Sequence, residues 1–214
     1  MELSIVDKCI SLVAKRNSGK SYLLRYLVLT EKENFDKIFV ICPTERINKF
    51  YSGFVPEKDV FDSYEEEWVE KLIATLTKVN SGKPKSEYKR VLLIMDDCIA
   101  DTNMHASPTL KKLYSRGRHL GVSLVVTTQH LTGISPLMRT NSDFLLAGQM
   151  NRASVELLCS EFLSGDIDKA EFIKMYNRLT SDYGFLVVNC TSVKESGDIN
   201  AIYGRVRTPA EYMD

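Results

Sequence analysis

The chain has 214 residues, with 28 lysines and arginines balanced by 28 aspartates and glutamates, 44% hydrophobic and 26% charged positions, and 6 prolines. This composition excludes disordered and fibrous classes, and the neutral balance excludes a protein coated in positive charge for nucleic acid, so any such contact must be local. The length suits one compact α/β domain with a buried sheet, no apolar run approaches the roughly 20 residues of a membrane helix, and the opening MELSIVDKCISLV lacks the basic-then-apolar order of a signal peptide, so a soluble intracellular protein without membrane insertion is expected.

In chain order, the run 8–13 (KCISLV) reads as a short strand ending in a glycine-bearing turn, followed by a helical pattern over 21–29. A second strand is expected at 37–42 (KIFVIC), stopped by Pro43, which has no N–H to give a ladder. A helix over 65–79 carries Trp68, Leu72 and Leu76 on one face. The run 91–95 (VLLIM) leads straight into two aspartates. A helix over 107–118 has Ser107 as its N-cap and Pro108 in its first turn. Strands at 122–128 (VSLVVTT) and 143–147 (DFLLA), helices at 152–162 and 168–179, and an antiparallel hairpin of 184–189 with 201–206 follow. The hairpin's turn is placed at Ser196-Gly197-Asp198, and the hairpin is expected to extend one edge of the sheet.

Continuous apolar strands separated by helices imply a mostly parallel sheet covered on both faces, a three-layer α/β fold. No internal repeat or linker divides the chain, so residues 1–214 are expected to form one domain, with a motif-bearing core over 1–150 and the last helices and hairpin over 151–214. The 5 cysteines, Cys9, Cys42, Cys98, Cys159 and Cys190, are scattered and read as reduced thiols. With His105, His119 and His130 they make no zinc-ligand spacing.

The segment Ala14-Lys-Arg-Asn-Ser-Gly-Lys-Ser21 fits the broad P-loop form, which binds ATP with Mg²⁺. Its logic is a wrap of backbone N–H groups around phosphates at the start of a helix whose dipole favours negative charge. Lys15, Arg16, Asn17, Ser18, Gly19, Lys20, Ser21 and Tyr22 are the expected nucleotide contacts. Lys20 would reach the β- and γ-phosphates and the Ser21 hydroxyl would ligate Mg²⁺. A lysine-rich turn capping a helix is the bland alternative, and the apolar strand before the loop and apolar-faced helix after it favour the P-loop. Ala14 is the weak point, because a methyl group there restricts a turn that glycine would allow.

Asp96 and Asp97 arrive at the carboxyl end of a buried strand, where α/β folds place ligands. One would orient Mg²⁺ and the other would take a proton from, or orient, the attacking water; acidic caps on a loop are the plain reading, and the repulsion of adjacent carboxylates makes a nearby cation the natural explanation. Gln129, at the end of LVVTTQ, would hold that water or sense the γ-phosphate, or is simply a solvent-facing strand end. The separation of P-loop strand from acidic strand suggests the ATPase class with an additional strand between them. The cluster Lys111, Lys112, Arg116, Arg118 and His119 is a solvated helix end favoured by the dipole, or else supplies an arginine finger to a neighbouring subunit and lysines to a phosphate backbone. Arg139 is a further finger candidate, and the residues alone do not choose among Arg116, Arg118 and Arg139.

In this order, AKRNSGKSYLLRYL, FDKIFVICPT with NKFYSGFVP, VLLIMDDC, SRGRHLGVSLVVTTQH and PLMRTNSD resemble the genome-packaging ATPases of large nucleocytoplasmic DNA viruses and virophages, the poxvirus-type branch of the FtsK/HerA superfamily. The likeness covers roughly the first 150 residues. It implies Walker A roles for Lys20 and Ser21, the magnesium role for Asp96, the catalytic carboxylate for Asp97, a polar sensor in Gln129, and Arg118 as first choice for the finger. It further implies a homo-oligomeric ring, pentamer or hexamer, that pumps double-stranded DNA through a central channel into a preformed capsid, docking portal or vertex proteins at the assembly site in host cytoplasm or in the virion. Ala14 replaces the usual glycine, and Asp-Asp replaces the Asp-Glu of wider relatives, as in the viral branch. The competing readings are a P-loop kinase of nucleotides or small molecules, for which no arginine-rich lid is visible, and a non-catalytic nucleotide-binding virion module.

Overall fold

The computed structural model describes residues 3–98, 107–163, 167–192 and 198–213. The strands are β1 (Cys9–Val13), β2 (Lys37–Ile41), β3 (Val60–Phe61), β4 (Val91–Met95), β5 (Val122–Thr128), β6 (Phe144–Ala147), β7 (Gly184–Asn189) and β8 (Tyr203–Arg207). The helices are α1 (Lys20–Glu31), α2 (Glu45–Asn48), α3 (Glu66–Asn80), α4 (Pro108–Leu120), α5 (Pro136–Asn141), α6 (Arg152–Phe162), α7 (Lys169–Leu179) and α8 (Ile199–Ile202).

Side chains alternate along each strand, so the apolar runs feed both faces of the sheet. Ile10 and Leu12 of β1 and Leu92 and Ile94 of β4 pack with Leu23, Leu24 and Leu27 of α1. Their neighbours Cys9, Val13, Leu93 and Met95 pack on the other face with Val69 of α3, Leu113 of α4, Leu158 of α6 and Phe172 of α7. Each such aliphatic side chain, fully buried, contributes about 1.5–3 kcal/mol. The three layers expected from continuous apolar strands are therefore formed by period-2 packing on two faces. Local signals agree: Ser107 accepts the Leu110 N–H at the start of α4, with Pro108 following it, and Asp168 with Glu171 forms a capping box on α7.

The sheet order is β3-β2-β4-β5-β1-β6-β7-β8. β3, β2, β4, β5, β1 and β6 are parallel, and β7 and β8 add antiparallel at one edge. The additional strand between β1 and β4 is β5, which comes later in the chain than both, while β2 lies beyond β4. The carboxyl ends of β1, β4 and β5 thus lie side by side.

The late hairpin pairs as expected, Gly184 opposite Arg207. The short helix α8, capped by Asp198, leads directly into β8, so part of the expected 201–206 strand is helical. Ser196 and Gly197 of the expected turn, and His105, lie outside the described residues. β3 was not anticipated, because two residues give no periodicity to read.

Candidate nucleotide site

The loop from β1 to α1 is tied to the sheet at its entry. The Ala14 N–H donates to the Thr128 carbonyl (3.1 Å) and the Lys15 N–H to the Gln149 carbonyl (2.8 Å). Beyond that point, the N–H groups of residues 16–19 are taken by no protein acceptor among the described residues. Asn17 (φ 58°) and Gly19 (φ 83°) both adopt the left-handed conformation, which turns successive N–H groups inward to make an anion-binding concavity. The chain's own residues therefore fit a polyphosphate. The Lys20 ammonium lies inside the loop, donating to the carbonyls of Ala14 (2.6 Å) and Lys15 (3.1 Å). Burial lowers its pKa, the nearby Asp96 and Asp97 carboxylates pull it back up, and Arg16 adds to the lowering.

Ala14 does not strain the loop. Its backbone does not have positive φ, so glycine is not needed there. Its buried methyl group fills space beside Gly148, where an added Cβ would stand 2.7 Å from the Ala14 Cβ. The strand ends approach closely because one partner carries the methyl and the other does not.

Asp96 is buried at the end of β4, and each of its carboxylate oxygens receives a hydroxyl. Thr127 Oγ1 donates to Oδ1 at 2.5 Å and the Tyr51 phenol donates to Oδ2 at 2.8 Å. The Thr127 hydroxyl also accepts the Asp97 N–H (3.1 Å), so one side chain of β5 orients both aspartates. Asp97 sits at φ 53° in the left-handed region, and its carboxylate accepts a hydrogen bond from Gln129 Nε2 at 2.7 Å. Tyr51 is fully buried; burial first, then the charge and hydrogen bond of Asp96, push its pKa well up, so it remains a donor. Its loop is pinned by buried Glu45, whose carboxylate accepts the N–H groups of Tyr51 (3.0 Å) and Ser52 (2.8 Å). An edge-to-face series of rings, Tyr22 on Phe50 and Phe50 on Tyr51, joins the first turn of α1 to this donor.

Lys20, Asp96, Asp97 and Gln129 thus converge, with Ser21 in the first turn of α1 beside them. Thr127, Tyr51 and Glu45 were not singled out from the sequence. Thr127 carried only a faint signal, one of three hydroxyl residues in the mostly apolar run VSLVVTT; Tyr51 in NKFYSGF reads only as a turn.

The finger candidates separate. Arg139 is buried, its Nε donating to Glu161 Oε2 (2.6 Å), Nη2 to Glu161 Oε1, and Nη1 to the carbonyls of Leu131 (3.3 Å) and Ile134. All its donors hold α5 to α6 and the preceding loop, which corrects its placement among residues able to reach a neighbour. Arg118 Nη1 pairs with buried Asp143 (2.7 Å), whose other oxygen accepts the Cys9 N–H (2.8 Å). Arg116 is exposed and forms no ion pair among the described residues. The basic end of α4 leads through Gly121 into the start of β5, so it lies about 20 Å, one strand length, from the carboxyl edge that carries the P-loop.

The model of the Poxvirus A32 protein family matches residues 3–196. The chain belongs to that family. The match runs well past residue 150, where the motif resemblance thins, so α6, α7 and β7 are family elements as well. Among relatives, protein 075L of Invertebrate iridescent virus 6 is 30% identical over 191 residues, 88% of this chain and 72% of that one. Protein L437 of Acanthamoeba polyphaga mimivirus is 33% identical over 150 residues, 66% of this chain and 52% of that one. The chain therefore spans about half of the second relative. Among solved structures, B204, the DNA-packaging ATPase of Sulfolobus Turreted Icosahedral Virus, superposes with a TM-score of 0.68 at 18% identity, over 95% of this chain and 98% of B204. This A32 family member thus has the same additional-strand P-loop fold. Among its described residues, no helix is long and apolar enough to cross a membrane.

Proposed function

We propose that this A32 family chain is an ATPase subunit that drives double-stranded DNA into a preformed viral capsid during assembly. The supporting observation is the convergence of the P-loop lysine, two oriented aspartates and a glutamine at the adjacent carboxyl ends of β1, β4 and β5. Mg²⁺, held by Ser21 and Asp96, would supply charge neutralisation to the phosphates. The N–H concavity and Lys20 would bind the β- and γ-phosphates, and Asp97, with Gln129 holding its second oxygen, would orient the attacking water and accept its proton. Hydroxyl donors on both Asp96 oxygens fix the carboxylate's direction without neutralising it, which leaves its charge for a cation.

The basic end of α4 is too far from its own P-loop to serve it, and a ring places one subunit's rear edge against the next subunit's site. Arg116 then acts as the finger, with Arg118 its alternative, and the ring engages duplex DNA and the capsid's portal or vertex proteins. The B204 relationship supports the packaging reading by fold, and the family membership supports it by descent.

The test is steady-state ATP turnover of wild type, Asp97→Asn and Arg116→Ala, with and without duplex DNA, over a range of protein concentrations. Turnover that rises with DNA and concentration, loss in Asp97→Asn, and recovery when Arg116→Ala is mixed with Asp97→Asn are expected. Turnover indifferent to DNA and concentration would leave an ATPase and remove the motor.

A further inference from the structure

Beside the P-loop, on the side away from Asp96, lies a cavity of about 370 Å³ lined by Lys15, Asn17, Ser18, Gln149, Thr180 and Tyr183 among others. Its far wall is the turn between α7 and β7, in which Asp182 (φ 51°) and Tyr183 (φ 53°) are both left-handed. A single bulky residue at positive φ is uncommon, and two in succession need support from their surroundings. That support comes from β8. Arg205 donates from Nε to the Leu179 carbonyl (3.1 Å) and from Nη2 to the Ser181 carbonyl (3.0 Å), while Arg207 pairs with Asp182 at 2.7 Å.

The strained turn holds an aromatic ring in an exposed place, with Tyr183 54% accessible. Its Cδ1 lies 3.5 Å from the position of a Cβ on Gly19, so the ring stands against the P-loop itself. The Lys15 N–H bond to the Gln149 carbonyl fixes the loop relative to the same cavity. A nucleoside triphosphate whose phosphates occupy the N–H concavity must extend its sugar and base out of the loop, and this cavity lies directly beside it, lined by Lys15, Asn17 and Ser18 of the loop. A rigidly presented aromatic face is suited to a flat heterocycle, and stacking reads the face of a base rather than its edge groups.

We propose that Tyr183 is the stacking wall for the nucleobase of the bound nucleotide, with selection for purines over pyrimidines and little distinction between adenine and guanine. This inference rests on the nucleotide-site reading above. It gives the late segment a part in the site: α7, β7 and the arginines of β8 build the base subsite, while the earlier strands build the phosphate subsite.

The experiment measures KM and kcat for ATP, GTP and CTP, and the binding of inorganic tripolyphosphate, for wild type, Tyr183→Phe and Tyr183→Gly. Glycine accepts the left-handed backbone, so this variant removes the ring without straining the turn. The expected result is an ATP and GTP KM raised about tenfold or more in Tyr183→Gly, a purine preference that collapses, and unchanged kcat and tripolyphosphate affinity. Tyr183→Phe should behave as wild type. An unchanged ATP KM in Tyr183→Gly overturns the proposal, as does a tripolyphosphate affinity that falls by the same factor, which would make Tyr183 a prop for the loop. If wild type binds neither ATP nor tripolyphosphate, the nucleotide-site reading falls and this one with it.

Discussion

The carboxylates at the centre of the sheet's carboxyl edge are treated differently from those at its amino edge. At the amino edge, Asp7 pairs with Arg90, Asp36 with Lys89 and Asp143 with Arg118, so each has a cation of its own. At the carboxyl edge, Asp96 and Asp97 receive neutral donors, from Tyr51, Thr127 and Gln129, and form no ion pair among the described residues. A carboxylate matched internally is structural; a pair that is aimed but unmatched is set up for a ligand cation. Perturbing the two edges should therefore give opposite balances of activity and stability.

The largest expected effect is on turnover. Asp97→Asn should lower kcat by about 10²–10⁴-fold, the usual contribution of a positioned base. Asp96→Asn should also abolish metal-dependent turnover while changing the melting temperature little, because the loss of a buried charge that has no ion pair offsets the mismatch of an amide NH2 with the Tyr51 or Thr127 hydroxyl donor. A clear fall in melting temperature for Asp96→Asn would break the comparison.

At the amino edge the effect should be on stability. Arg118→Met leaves the buried Asp143 carboxylate without its cation, and should cost about 2–3 kcal/mol in urea unfolding, below the full value for a buried pair because Arg118 is partly exposed. Arg116→Met should stay within about 0.5 kcal/mol. Equal costs for the two would remove the distinction drawn between them.

Tyr51→Phe sharpens the carboxyl edge further. It deletes one hydroxyl donor to a charged group, about 1.5–3 kcal/mol of interaction, and the ring packing stays. Asp96 loses its orientation, so the Mg²⁺ concentration for half-maximal turnover should rise about tenfold with little change in ATP KM.

The smallest effect concerns Asp36. Its carboxyl is held below the usual value chiefly by the Lys89 hydrogen bond, with burial opposing and the Arg90 N–H assisting. A depressed folded pKa gives stability that is fully present above the unfolded value and is lost as pH falls through the folded one. Asp36→Asn should thus cost at most about 1 kcal/mol at neutral pH, and the difference from wild type should vanish in acid unfolding curves below that folded pKa.

Much of this was legible in the residues because it was local. The runs 91–95, 122–128, 152–162 and 184–189 coincide with β4, β5, α6 and β7, and Ser107 caps its helix as its position next to Pro108 implied. Lys20, Asp96, Asp97 and Gln129 could be singled out because each ends or follows an apolar strand. What stayed hidden depends on distant partners. Tyr51 reaches Asp96 across 45 residues, and Arg139 reaches Glu161 across 22, and nothing in either local pattern distinguishes a buried clamp from an exposed side chain. Ala14 read as a defect because its complement, Gly148, is contributed by the chain just after β6.

The strand order also bears on when the site can exist during synthesis. β1, one of the two central strands, borders β5 and β6, with Cys9 opposite Leu124 and Ile10 opposite Phe144, so it has no strand neighbour until β5, beginning at Val122, has emerged. Pairings of that span are slow to close. β2, β3 and β4 pair among themselves, so a nascent three-strand unit precedes the P-loop's attachment to the sheet. The proposed nucleotide site is therefore assembled late, by insertion of β5 between two segments already made, and a ribosome-bound intermediate ending before residue 122 should be unable to hold nucleotide.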